Sequence, residues 1–263
     1  MLALPSGLSP TTLLLLTGAA FLAGFIDAAV GGGGLISVPA LALGLPAGTP
    51  YPSLLGINKV QSVTGTSVAA MKFLKEGVLG WRDLLGPVLC SLCGAGFGVA
   101  LAYRVNPAFM RPLMLVLLVA MLAWTLLKPE LGQVHAQKFG LAHQRGLSMA
   151  LAFGLGTYDG FFGPGVGSLL IFSFVAVLGF DFLRASAMAK AVNWASNLSS
   201  TVLFLWKGSW IPSVALAMAA GNGLGGYLGA HMALKRGTRF LRIFFSLVVS
   251  ALILRLGWQT FRG

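Results

Sequence analysis

Between residues 11 and 128 the chain runs through five apolar stretches (11–30, 34–46, 56–74, 83–103 and 107–128). Five more follow at 146–162, 165–180, 184–206, 211–234 and 239–258. About 20 apolar residues cross a hydrocarbon core as a helix. Inside that core the chain must satisfy its own backbone polar groups, so helices are the expected spanning element. Only 9% of the 263 residues are charged, against 57% hydrophobic, with a mean hydropathy of +0.86. Soluble domains carry about 25% charged residues, so water is excluded as the main solvent for this surface. The expected location is a bacterial-type inner membrane, crossed many times.

Eighteen Lys and Arg against six Asp and Glu give a net charge of +12. Most of the basic residues fall between or at the ends of apolar segments, where they set orientation; a smaller share serves to attract an anion. Nucleic acid is therefore not an expected partner. The loop with Lys235, Arg236, Arg239 and Arg242 is the strongest cytoplasmic candidate, and an even number of crossings would then leave both termini outside. No Lys or Arg precedes Lys59, so the basic start of a cleavable signal is missing and the first segment is expected to stay as a membrane helix. Cys90 and Cys93 lie within an apolar segment and read as small packing residues rather than a redox pair.

The two groups of segments align with each other. One constant offset places Gly24 on Gly156, Asp27 on Asp159, Gly31 on Gly163 and Gly33 on Gly165. After a one-residue gap, Lys59 falls on Lys190, Gly94 on Gly225, Gly98 on Gly229, Phe109 on Phe240 and Arg111 on Arg242. Glycine matches mean little in a chain with 36 glycines, but the scarce Asp, Lys and Arg recur in register. The expected organisation is a first transmembrane repeat (1–128), a polar linker (129–145) and a second repeat (146–263). The expected fold is all-α, with two homologous repeats of about five helical segments each. An odd number per repeat would invert one against the other, a common transporter plan with its site near the midplane.

The chemistry is expected at the glycine clusters. Each repeat sets an aspartate in an apolar run, then glycines, then a short helix: Asp27 before Gly31–Gly34, and Asp159 before Gly163, Gly165 and Gly167. Four consecutive glycines disfavour helix by about 1 kcal/mol each, and a break at membrane depth is tolerated only where it lines a cavity or is buried. The short helix that follows presents electropositive amides, a ready oxyanion site. Gly33, Gly34, Gly165, Gly167 and Ser168 are the candidates there; close helix packing is the competing role for these glycines.

Asp27 and Asp159 are too costly to expose to lipid as charges. They are expected to satisfy freed backbone amides or to couple a proton. Lys59 and Lys190 read as first-turn residues of the third segments, where they oppose the helix dipole. A nearby anion, or the two aspartates, would explain them. Asn58, Gln61, Ser62 and Thr66 accompany Lys59, and Asn193 and Asn197 accompany Lys190, as substrate hydrogen-bonding groups or as glue between helices. The stripes Gly94/Gly98 and Gly221/Gly225/Gly229 read as packing surfaces, and Tyr51, Trp81, Trp206 and Trp210 as an interfacial belt. No metal or cofactor site and no nucleophile–base pair can be read from spacing, so an enzyme is not expected.

Three separated runs carry a resemblance: G-F-I-D-A-A-V-G-G-G-G-L-I-S-V-P-A-L from Gly24, G-I-N-K-V-Q-S-V-T-G-T from Gly56 and Y-D-G-F-F-G-P-G-V-G-S from Tyr158. Together they resemble the sulfite exporter TauE/SafE family over nearly the whole chain. The resemblance implies ion-coupled transport of sulfite, sulfoacetate, thiosulfate or related organosulfonates. It falls on Asp27, Gly31 to Gly34, Asn58, Lys59, Gln61, Asp159, Gly163, Gly165 and Lys190. Ile57 replaces the threonine of the family's usual G-T-N-K, so any hydroxyl contact there is lost. The expected partners are a small anion, the bilayer and a coupling ion such as a proton, with a homodimer left open. A non-transporting membrane scaffold and a passive anion channel are the alternatives.

Overall fold

A computed structural model describes residues 7–75, 77, 79–104 and 140–236, with isolated positions at 109, 112, 116, 119, 120, 250 and 254. The expected segments 107–128 and 239–258, with Arg111, Phe240 and Arg242, fall largely or wholly outside the described residues, as does the polar stretch up to 139. The described residues form eight helices and no strand: α1 (Pro10–Val30), α2 (Gly34–Gly44), α3 (Tyr51–Lys75), α4 (Trp81–Ala102), α5 (Leu141–Phe161), α6 (Val166–Ala176), α7 (Phe182–Trp206) and α8 (Pro212–Arg236).

Local chemistry sets the ends. Ser9 caps α1 by accepting the Thr12 amide at 3.1 Å, with Pro10 in the first turn, where a missing N–H costs nothing. Asp181 caps α7 by accepting the Arg184 amide at 2.9 Å. α1 and α4 are long and apolar enough to cross a bilayer, while α2 and α6, at 11 residues each, are too short. α5 starts at Leu141, so residues 141–145 of the stretch read as linker are already helical.

Exchanging α1–α4 with α5–α8 maps the packing onto itself. α1 lies on α8 as α5 lies on α4, α3 lies on α8 as α7 on α4, and α3 and α7 meet at the centre. The glycine stripes make the approach: a Cβ on Gly225 would stand 2.0 Å from the Phe21 carbonyl and one on Gly229 2.1 Å from that of Phe25. Likewise Gly94 faces the Phe153 carbonyl at 2.3 Å and Gly98 that of Thr157 at 2.0 Å. Backbone stands where a side chain would go, which is how small residues draw helices together. Both contact series rise together in residue number, so α1 runs parallel to α8 and α4 parallel to α5. α3 and α7 run oppositely, with Lys59 beside Asn197 and Ser67 beside Trp194.

Polarity is distributed inside out. Lys59 and Lys190 are among the largest fully buried side chains, whereas Leu14, Leu85, Leu224, Trp81 and Trp206 are exposed. Water-soluble proteins almost never bury lysine completely; a helical body bathed in hydrocarbon keeps its polar groups within. Trp81 and Trp206, 79% and 80% exposed at helix ends, stand where an aromatic belt would need them. Tyr51 does not: it is buried in the core with its hydroxyl unpartnered, a correction to the belt reading. The cause is that α3 begins there, five residues before the sequence reading placed it, with Pro50 and Pro52 at its start.

Candidate functional site

Both helix breaks occur at the glycine clusters, and they meet. α1 ends at Gly31 (φ +80°), followed by Gly32 (φ +95°); α5 ends before Gly163 (φ +95°), followed by Gly165 (φ +80°). These left-handed conformations favour glycine. A Cβ on Gly31 would stand 2.4 Å from the Gly167 carbonyl carbon and the Ser168 amide, and one on Gly34 3.1 Å from Pro164 Cα. The two breaks therefore lie back to back, and the first turns of α2 and α6 start within touching distance of each other. Ser168 abuts Gly31 through its backbone.

A cavity opens between these starts. Its walls include Asp27, Gly33, Gly34, Asn58, Ser62 and Thr66 from α1–α3, and Asp159, Gly165, Gly167, Asn193 and Asn197 from α5–α7. Among the sequence-predicted site residues, Lys59, Gln61, Ser168 and Lys190 stand behind this wall. Each lysine reaches into the other set of helices. Lys59 Nζ donates to Asp159 Oδ1 at 2.6 Å and to Asn197 Oδ1 at 3.4 Å, all buried. Lys190 Nζ donates to the backbone carbonyl of Asp27 and lies 3.8 Å from Asp27 Oδ2. The two charge pairs cancel, leaving the cavity polar and formally neutral.

Both lysines are mid-helix. α3 starts at Tyr51 and α7 at Phe182, so each lysine lies about two turns in. The first-turn reading is corrected and its dipole argument falls away. Crossed aspartates, not dipole strain, account for their placement.

The polar side chains form two separate networks, one on each side of the cavity. Asn58 Oδ1 accepts from Ser37 Oγ at 2.7 Å and from Gln61 Nε2 at 2.9 Å, and Gln61 Oε1 accepts from Asn222 Nδ2 at 2.7 Å. Asn222 also donates to the Ala20 carbonyl at 3.1 Å. On the other side Asn197 Nδ2 donates to Asn193 Oδ1 at 3.1 Å, and Ser196 Oγ donates to Asp159 Oδ2 at 2.6 Å. Thr66 turns its hydroxyl onto the Ser62 carbonyl at 2.8 Å. Asp27 Oδ1 accepts the Gly33 amide at 3.1 Å.

Asn222 lines the cavity, and the sequence reading passed over it because it stands in a glycine stripe. Its signal was available: an amide in an apolar helix needs a partner. Ser37, at the end of the glycine motif, joins the Asn58 network, and Ser196, between Asn193 and Asn197, bonds Asp159. Among the described residues no cluster of His, Cys, Asp or Glu is arranged to hold a metal.

Comparison with known proteins gives the family. The family model "Sulfite exporter TauE/SafE" matches residues 16–256. A "probable membrane transporter protein" of Haemophilus influenzae is 36% identical over 251 residues, covering 92% of this chain and 94% of its own. "Probable membrane transporter protein ORF9" of a Sinorhizobium species is 35% identical over 240 residues, with 90% and 89% covered. "Probable membrane transporter protein YfcA" of Escherichia coli is 34% identical over 251 residues, with 94% and 91% covered. No solved structure matches the chain. The broken helices, the buried charges and these relatives converge: the chain is a membrane transporter that belongs to the sulfite exporter TauE/SafE family.

Proposed function

We propose that this protein is a multi-pass secondary carrier of the bacterial-type inner membrane that moves small sulfur-containing anions, coupled to an ion gradient. Sulfite, thiosulfate and organosulfonates such as sulfoacetate are the substrate class. The carrying observation is the cavity between the two helix breaks, where the first turns of α2 and α6 converge with Asn58, Asn193 and Asn197. The first-turn amides of Leu35, Ile36 and Val166 bond carbonyls three residues back, which leaves Gly34 and Gly167, both lining the cavity, as the helix-start donors that suit an oxyanion. The bound anion would sit between Gly33–Gly34 and Gly165–Gly167, with the aspartate-paired Lys59 and Lys190 behind it.

The carrier would be built of two homologous repeats inverted in the membrane. The in-register glycine contacts and the antiparallel course of α3 and α7 support that plan. Such repeats let one module rock against the other around a fixed site, and the crossed lysine–aspartate pairs stand where the modules would part.

Proteoliposome counterflow tests this reading. Vesicles loaded with unlabelled thiosulfate or sulfoacetate should accumulate labelled anion transiently, and Lys59→Ala and Lys190→Ala should each lower that flux at least tenfold while still inserting and folding. Wild-type flux in both variants would remove the lysines from the mechanism. The pairing of both lysines with carboxylates also favours a second reading, a non-transporting membrane scaffold. Vesicles impermeable to every sulfur anion would support it, whereas permeation that never concentrates substrate under any gradient would indicate a passive channel.

A further inference from the structure

The two aspartates hold their charges in different ways. Asp27 commits Oδ1 to the Gly33 amide, at the electropositive start of α2, and Lys190 reaches the Asp27 carbonyl rather than closing on its carboxylate. Its negative charge is held by backbone that does not leave. Asp159 gives Oδ1 to Lys59 and Oδ2 to the Ser196 hydroxyl, both at 2.6 Å. Both of its partners are side chains from another helix, α3 for Lys59 and α7 for Ser196.

Lys59 is placed to change partners. Its Nζ lies 3.1 Å from the point where a Cβ on Gly163 would stand, and 3.4 Å from Asn197 Oδ1. Gly163 and Asn197 both line the cavity, as does Asp159. An anion beside Asn197 competes with Asp159 for the ammonium. Once the ammonium turns, Asp159 is a buried carboxylate with no counter-charge, an arrangement that proteins do not sustain.

Resting on the carrier reading above, we propose that Asp159 is the proton-binding site of a proton–anion symporter, loaded when the anion draws Lys59 away. In that exchange the Lys59–Asp159 hydrogen bond breaks, and Lys59 keeps its three protons and donates to an anion oxygen. A proton from water adds to Asp159 Oδ1, and the neutral carboxyl keeps the Ser196 hydrogen bond. Asp27 does not take part, because the Gly33 amide still holds its charge.

The groups facing Asp159 are few. Lys59 comes from α3 and Ser196 from α7, Asp27 acts on it through its charge from α1, and Tyr158 stands beside it on α5. α6 carries no charged residue, and the charges of α4, Arg82 and Asp83, lie at its opposite end, where Asp83 pairs with Arg145 at 3.7 Å.

Proton uptake on anion binding tests the assignment without needing transport. Purified protein in weakly buffered detergent solution near neutral pH, with a pH-sensitive dye, is titrated with thiosulfate and with sulfoacetate. Both anions are fully ionised there, so any proton taken up goes to the protein. Wild type should take up about one proton per anion bound, and Asp159→Asn should bind anion with no uptake. Ser196→Ala keeps the carboxylate and frees one of its oxygens, so uptake should persist with its pH midpoint moved. Unchanged uptake in D159N, binding without uptake in wild type, or an unmoved midpoint in S196A would each overturn the assignment. Binding of neither anion, with no counterflow in vesicles, would overturn the carrier reading beneath it and this inference with it.

Discussion

The two helix breaks look alike in sequence and are stabilised differently. After Asp27 the chain turns through Gly31 and Gly32, and the aspartate folds back onto the Gly33 amide as part of the turn. After Asp159 the chain turns through Gly163, Pro164 and Gly165, and the aspartate points away to Lys59 and Ser196. Tyr158 takes over part of the turn by donating to the Pro164 carbonyl at 2.6 Å. The first break is held by its own carboxylate; the second leaves its carboxylate to respond to what enters the cavity. Two similar motifs thus divide support and response between them, which strict symmetry would not allow.

The largest expected effect comes from filling the contact between the breaks. Gly31→Ala forces a Cβ to within 2.4 Å of the opposing backbone at a positive φ. At φ +80° and ψ 166° Gly31 holds backbone that is nearly glycine-only, at a cost of about 1–3 kcal/mol for alanine, and the overlap adds more, so this variant should fail to yield a monodisperse peak on size-exclusion chromatography. Gly77→Ala has a similar positive φ (+66°) with nothing within 4 Å and should lose only the conformational cost, seen as a few degrees in Tm. Equal behaviour of the two would mean that the breaks are not in contact.

The charge pairs should separate next. Lys59→Ala strands a fully buried carboxylate, a change that costs about 3–5 kcal/mol. Lys190→Ala leaves an aspartate whose side chain is 15% exposed and already bonded to Gly33, so its loss should be clearly smaller. Thermal unfolding in one detergent compares them. The double variant Lys59→Met with Asp159→Leu should recover most of the stability, since well-packed apolar side chains often replace a buried ion pair without loss. Equal losses for the two lysines would erase the distinction drawn here.

A smaller effect is expected at Asn222→Ala, which leaves Gln61 Oε1 without its donor and costs about 1–3 kcal/mol. Ser91, aligned with Asn222 in the other set, donates instead to the Val192 carbonyl at 2.8 Å. Ser91→Ala should therefore destabilise without reaching the cavity network, and anion binding should fall in N222A alone.

Much of this was legible in the sequence, for identifiable reasons. Glycine clusters mark backbone that cannot continue as helix, so both breaks and the short α2 and α6 were readable from Gly31–Gly34 and Gly163–Gly167. Buried lysines in apolar runs announced a polar interior. The crossing of the pairs was not legible: Lys59 and Asp159 are 100 residues apart and Lys190 and Asp27 163 apart, and no local pattern says which carboxylate each lysine takes. The helix starts before Lys59 and Lys190 were missed because prolines and an aspartate cap look like loop until the first turn forms around them. Asn222 is masked by its neighbours Gly221 and Gly223, because in sequence the stripe reads as a packing surface.

The central claim is that the facing breaks bind an oxyanion, and a selenium-containing substrate analogue locates it directly. Crystals grown with selenate or selenite, measured at the selenium edge, should place one anomalous peak between Gly33–Gly34 and Gly165–Gly167, within hydrogen-bonding distance of Asn58 or Asn197. A saturating soak that leaves that position empty, with selenium found only at the arginines near Arg145 and Arg184, would contradict it.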